Sequence, residues 1–200
     1  MKKLFLLLMA LMLLCMPVLA EDATSSATLA VDDFPRLPKG DSRILVVFFS
    51  PEKTVCSAAI AAANALGSEI FEIKPAEPYT EENLNYHDRQ SRTSIEMNDP
   101  ASRPEIEELP VLDRFDTILL GYPIWWGQAP RILCTFVESV DLSGKTVIPF
   151  CTSGSSGAGS SAVNLKKLGS ETAVWLEAKR FNNGSTKEDV YAWVERLNLQ

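Results

Sequence analysis

Six consecutive residues, Ile44-Leu45-Val46-Val47-Phe48-Phe49, are apolar, and all but Leu45 are β-branched or aromatic. A strand with one wet face alternates polar and apolar side chains, and this run does not. It reads as a strand buried on both faces, as strands of parallel sheets are. The rest of the chain agrees. Ala-rich residues 54–66 read as a helix closed by Gly67, and 69–74 as a second, alternating strand. Residues 115–121, 145–151 and 172–176 read as three further strands, and 130–140, 160–168 and 187–197 as helices, the last with Thr186 as its cap. Residues 75–110 are long and polar, with helical stretches expected near 81–92 and 104–108. Strands alternating with helices indicate an α/β domain with a parallel sheet.

The first twenty residues read differently. A basic start, Met1-Lys2-Lys3, precedes an almost wholly apolar stretch over 4–17, and Val18-Leu19-Ala20 suits a signal peptidase. Residues 1–20 are therefore expected to be a cleaved signal peptide, too short for a comfortable span; an uncleaved anchor is the alternative. A lipidated Cys15 is disfavoured because Leu14, not a small residue, precedes it. Residues 21–42 mix Ser, Thr, Ala, Asp and Pro without a period and read as a flexible tether, and residues 43–200 as the domain. The expected location is periplasmic or extracellular, with no stable membrane span after cleavage.

Charge and composition exclude several functions. The formal charge is −7, and losing Lys2 and Lys3 leaves 17 basic against 26 acidic residues, or −9. Neither nucleic acid nor an anionic membrane suits such a surface. His87 is the single histidine, so a multi-His metal site is impossible, and His87 itself reads as a surface residue. A hydrolase built on Ser50 or Ser153 lacks a G-x-S-x-G elbow. Beyond the leader the cysteines are Cys56, Cys134 and Cys151, an odd number without a CxxC pair. Cys134 and Cys151 read as small buried apolar residues. Cys56 falls in the first turn of a helix, where the dipole lowers a thiol pKa.

In parallel α/β sheets ligands sit beyond the carboxyl ends of the strands, where strand order reverses. The informative loops are therefore 50–54, 121–130 and 152–160. The second carries Pro123-Ile124-Trp125-Trp126-Gly127. Adjacent side chains diverge in any regular element, so the pair reads either as one core and one partly exposed Trp or as a platform for a flat ligand. The third reads Thr152-Ser153-Gly154-Ser155-Ser156-Gly157-Ala158-Gly159. Its composition is that of a linker, but it joins a buried strand to a helix. There its glycines admit a ligand to the backbone and its amides and hydroxyls offer hydrogen bonds. Tyr79 and Tyr86 read as packing residues, with covering the ligand as the alternative.

The stretch Gly121-Tyr122-Pro123-Ile124-Trp125-Trp126-Gly127 and the later Asp141-Leu142-Ser143-Gly144-Lys145 through Pro149-Phe150-Cys151-Thr152-Ser153-Gly154 resemble the flavodoxin-like family of small bacterial proteins. Phe71-Glu72-Ile73-Lys74-Pro75, Pro78-Tyr79 and Arg103-Pro104 match it too. The resemblance covers residue 44 to about 176. It implies a three-layer flavodoxin-like fold with a five-stranded parallel sheet in order 2-1-3-4-5, binding flavin mononucleotide (FMN). It implies that Pro123, Ile124, Trp125, Trp126 and Gly127 pack on the isoalloxazine. Thr152, Ser153, Gly154, Ser155 and Gly157 would contact its pyrimidine side, with Ser50, Lys53 and Thr54 at the phosphate.

The first loop departs from the family pattern Ser-x-Thr-Gly-Asn-Thr. Ser50-Pro51-Glu52-Lys53-Thr54 is one residue shorter and lacks the glycine. Pro51 removes an amide donor, and Glu52 sets a carboxylate where a dianion would sit. At about 4 Å and an effective dielectric near 20 such a pair costs about 4 kcal/mol, unless Lys53 points inward and the acid outward. The resulting expectation is an FMN-binding redox protein in which the flavin does the chemistry. No side chain stands out as a proton donor, which favours electron transfer to a redox partner protein or small acceptor over small-molecule reduction. The alternative is an exported flavodoxin-fold binding or interaction module that has lost FMN.

Overall fold

Ile44–Phe48 forms strand β1, its side chains inaccessible from Leu45 onward. The computed structural model describes residues 42–182 and 184–199, so the expected leader and all of the expected tether except Ser42 lie outside the described residues. After β1 come α1 (Cys56–Leu66), β2 (Glu69–Glu72), α2 (Arg92–Asn98), β3 (Thr117–Pro123) and α3 (Arg131–Ser139). Then follow β4 (Thr146–Thr152), α4 (Ser161–Lys166), β5 (Val174–Trp175), β6 (Lys179–Phe181) and α5 (Lys187–Leu197). Every ladder is parallel. The order is β2-β1-β3-β4-β5, the order expected, with β6 also paired to β4.

Both faces of the sheet are covered, which is why its strands read as unbroken apolar runs. Leu45, Val47 and Phe49 join Ile118, Leu120, Tyr122 and the α3 residues Ile132, Leu133 and Phe136 in one core. The alternate residues Val46, Phe48, Leu119, Ile148 and Phe150 are also buried, on the side where α1 packs against α5. The alanines of α1 allow close approach there, and left-handed Gly67 ends the helix. Gly121 within β3 has a packing reason: a Cβ would run into the Phe150 ring, which fills that space and packs edge-on to Phe181 and tilted against Trp193.

The fifth position of the sheet differs from the single strand expected at 172–176. β5 pairs with Thr146 and Val147, and β6 pairs with Phe150 through Thr152. Between them lies Pro149 of β4, with no N–H to give. The odd-numbered residues of β4 face this edge, since the Val174 and Leu176 amides donate to Lys145 and Val147, and the Ser153 amide donates to Phe181. Pro149 therefore breaks the ladder on this side and leaves two short pieces.

The helices expected near 81–92 and 104–108 are not formed. Over 81–92 side chains take the backbone instead: Asn83 Oδ1 accepts from the Thr80 amide, Asn85 Oδ1 from His87 and Asp88 Oδ1 from Gln90. Such local bonds offer turns in place of a helix. The helix begins only at Arg92, where Ser91 Oγ accepts from the Ser94 amide. Residues 104–108 form no helix, because Ile106 bridges Pro75 and the Glu107 amide donates to the Lys74 carbonyl. At the other end of the chain, Thr186 and Asp189 close α5 with a reciprocal capping box, as expected of Thr186.

Candidate functional site

β3 delivers the chain directly into a tight turn. Trp125 and Gln128 exchange backbone hydrogen bonds at 3.0 and 2.9 Å, and the two residues between them, Trp126 and Gly127, have φ of 47° and 74°. Two left-handed central residues are the pattern of a type I′ turn. Glycine adopts it freely, but for Trp126 it costs about 1–2 kcal/mol. The strain has a visible result: Trp126 is 50% exposed while Trp125 is only 8% exposed. The pair thus divides its roles. Trp125 packs edge-on against Phe49 and Tyr79, and Trp126 presents its indole outward. Strain held in place at a strand end points to a functional surface.

Behind Trp125 lies a polar cluster. Tyr79 donates to Glu96 Oε2 at 2.6 Å, and Arg92 Nε donates to Glu96 Oε1 at 2.6 Å. The Arg92 guanidinium lies 4.1 Å from the Tyr79 ring centroid. Burial, and then the hydrogen bond to the Glu96 carboxylate, push the Tyr79 phenol well above its ordinary range. Tyr79 is a fixed support for Trp125 and stays protonated.

The loop after β4 is fastened to this turn. At Gly159, φ is 56° and a Cβ would lie 2.7 Å from the Gly127 carbonyl oxygen. Gln128 Nε2 donates to Ser160 Oγ at 3.0 Å, and Asn164 Nδ2 donates to Gln128 Oε1 at 2.7 Å. On its far side Arg180 donates to the carbonyls of Ser153 and Gly154 at 3.0 and 3.3 Å, while its Nε is buried without a partner. β6 brings this cation to the loop, and the acidic net charge gave no sign of it. Within the loop Ser153 Oγ donates to the Ser156 carbonyl.

The loop after β1 is organised differently. Ser50 is 4% exposed, and its Oγ accepts from the Val55 and Cys56 amides at 3.0 and 3.1 Å. The Lys53 amide donates to the Ser50 carbonyl at 3.0 Å, closing a turn with Pro51 at its second position, and Lys53 is left-handed with φ 57°. Cys56 departs from its expectation. Its thiol is pushed up, by burial and then by Glu72, with Lys53 opposing. Cys56, Cys134 and Cys151, the cysteines among the described residues, are free and buried.

A cleft of about 580 Å³ opens between the three loops, within the usual range for a small-molecule site. Of the residues singled out in the sequence, Thr54, Pro123, Ile124, Trp125 and Trp126 line it from the first two loops, and Thr152, Ser153, Gly154 and Ser155 from the third. Ser50, Lys53, Gly127 and Gly157 do not line it: Ser50 is turned to its own helix, and Lys53 faces a neighbouring depression with Glu81 and Glu82. Glu52 does line the cleft, with Leu84, Tyr86, Thr93 and Ser156. Glu52 lines both the cleft and that depression, whereas Lys53 lines only the depression, so Lys53 does not stand between the acid and the cleft. Glu52 is exposed, however, so water screens it, and at 4 Å the repulsion of a unit charge falls to about 1 kcal/mol. Tyr86, 66% exposed, adds a second open aromatic ring. Its place on the cleft agrees with the alternative reading of Tyr86, as a cover for the ligand, over packing.

The flavodoxin family model matches residues 43–197. A solved candidate flavoprotein from Bacteroides eggerthii is 41% identical with a TM-score of 0.73, covering 80% of this chain and 99% of its own. A second, from Bacteroides uniformis, is 42% identical with the same TM-score, covering 77% of this chain and 98% of its own. A flavoprotein in complex with FMN from Lactobacillus acidophilus shares the fold at 18% identity and a TM-score of 0.56, over 70% of this chain and 93% of its own. A search of curated proteins found no match.

Proposed function

The chain belongs to the flavodoxin family, and from that premise we propose that its cleft holds a flavin and that the protein transfers electrons. The observation that carries this reading is Trp126, held in a strained left-handed turn, half exposed and lining the cleft. Tyr86 opens on the same cleft. A large flat ring gains stacking area from such side chains at little entropic cost. Thr152, Ser153 and Gly154 supply hydroxyls and backbone groups for the polar edge of the ring, and Arg180 fixes the carbonyls of the last two. The ring half of a flavin fits these residues. The phosphate half of FMN does not fit the 50–54 loop, where Ser50 already occupies two helix amides.

A bound flavin would supply reversible one- and two-electron chemistry. The chain's own part is to hold the ring, exclude water from one face and keep its buried groups inert. Tyr79 and the three thiols stay protonated, held up chiefly by burial. None of them is a ready proton donor, which supports a carrier between a redox partner and an acceptor over a reductase of small molecules. Export through residues 1–20 would place flavin uptake outside the cytoplasm, and fractionation of cells making the full chain tests it.

The decisive experiment titrates the purified chain with FMN and with riboflavin, following Trp fluorescence and visible absorbance. Quenching and a shifted absorbance band are expected, both weakened in Trp126→Ala. Unchanged signals at saturating flavin of either kind would sink the reading. They would support the second one, a flavodoxin-fold interaction module without flavin, which the self-capped 50–54 loop favours.

A further inference from the structure

We propose that the cleft recognises a flavin through its ring and its neutral sugar-alcohol chain without reading a terminal phosphate, so that riboflavin binds at least as tightly as FMN. The inference rests on the flavin reading above and specifies its ligand.

A phosphate dianion is held by amides at a helix N-terminus, by hydroxyls or by cations. The loop that leads into α1 has little of this to give. Across positions 51–56, Pro51 has no N–H, the Lys53 amide is used by the Ser50 carbonyl, and the Val55 and Cys56 amides are used by Ser50 Oγ. That leaves the Glu52 and Thr54 amides within the stretch, and those of Ser57 and Ala58 in the first turn of α1 behind it. Ser50 is buried, so its hydroxyl cannot swing aside without stranding a polar group out of water.

Charge points the same way. Among the described residues lining the cleft, Glu52 is the one charged side chain, and no Lys or Arg is among them. Lys53 lies instead with Glu81 and Glu82 in the neighbouring depression. The exposed carboxylate disfavours a second anion by roughly fivefold at moderate salt. The uncharged parts of a flavin meet none of this. Its ring has Trp126 and Tyr86, and the hydroxyls of a sugar-alcohol chain have Thr54, Thr152 and Ser153, which line the same cleft.

The test compares dissociation constants of the purified full chain for riboflavin and FMN, read by Trp quenching. Riboflavin is expected to bind as tightly as FMN or more tightly. In Glu52→Gln, a change at an exposed position that leaves the fold intact, FMN should gain on riboflavin by roughly fivefold. Added salt should narrow the difference in the native chain and leave the variant unmoved. Tighter FMN binding by the native chain overturns the proposal, as does a ratio that Glu52→Gln does not move. A chain that quenches with neither flavin overturns the flavin reading itself, a separate failure from a preference for phosphate.

Discussion

The turn after β3 and the loop after β4 hold each other, whereas the loop after β1 is held by the helix it precedes. Gly159 lies against the Gly127 carbonyl, and Gln128 bridges to Ser160 and Asn164, so the two ring-side loops form one unit. Ser50 ties the first loop to α1, and Thr54 meets the ring side through a hydroxyl contact with Thr152 at 3.3 Å. Both arrangements satisfy buried polar groups. Only the first leaves its aromatic and hydroxyl surface turned toward the cleft. A loop that caps its own helix gains local stability and gives up its donors.

The contrast can be broken at its tightest contact. Gly159→Ala places a Cβ against a backbone oxygen at a left-handed position. It should destabilise the protein by about 2–3 kcal/mol in urea denaturation and weaken flavin binding with it. A change within error would show that the two loops are not clamped.

The next effect concerns β4, just before the ring-side loop. Burial pushes the Cys151 thiol to about 11, with Arg180 opposing, while in the unfolded chain it ionises near its ordinary value. The fold therefore keeps its full Cys151 contribution below about pH 9 and loses it as pH rises through 11, by about 2–3 kcal/mol. Denaturation at stepped alkaline pH should show this loss, and Cys151→Ala should flatten it.

Trp126→Ala should weaken flavin binding by roughly tenfold, or about 1.4 kcal/mol. Stability should hold or rise, since the substitution removes bulk from an exposed turn, and Trp126→Gly should raise it by about 1 kcal/mol by relieving the backbone. If Trp126→Gly is less stable than the native chain, the turn is not strained. The smallest effect lies on the phosphate side. Ser50→Ala should cost about 1 kcal/mol of stability through the lost hydrogen bonds to the Val55 and Cys56 amides, while freeing those amides and so raising FMN affinity relative to riboflavin. A fall in that ratio would mean that Ser50 contacts the ligand.

The architecture was legible because strand and helix periods differ and the sheet is covered on both faces: the run at 44–49, the alanines of 58–63 and Gly67 each had one sensible reading. Asn83, Asn85 and Asp88 were misleading because the 81–92 stretch has helical composition, while its short polar side chains compete for the backbone. β6 escaped notice because Lys179-Arg180-Phe181 has no pattern of its own and pairs only where Pro149 has interrupted β5. At the site, the Trp pair and the Ser-Gly loop stood out by position. The left-handed backbone of Trp126, the Gln128 bridge and Ser50 turning onto α1 did not, because each depends on contacts between distant segments. Lys53 and Glu52 are neighbours in sequence, and only the turn decides which of them faces the cleft.

Pro149 has a further effect on how this molecule behaves in crowded solution. A continuous fifth strand would present a long open edge, a ready template for strands of other chains. Here that edge is cut into pieces of two and three residues, with Lys179 and Arg180 on the longer one. Neither piece is long enough to seed pairing, and the Lys179 charge discourages it. The same proline that costs the sheet a hydrogen bond makes this side of the protein a poor surface for aggregation.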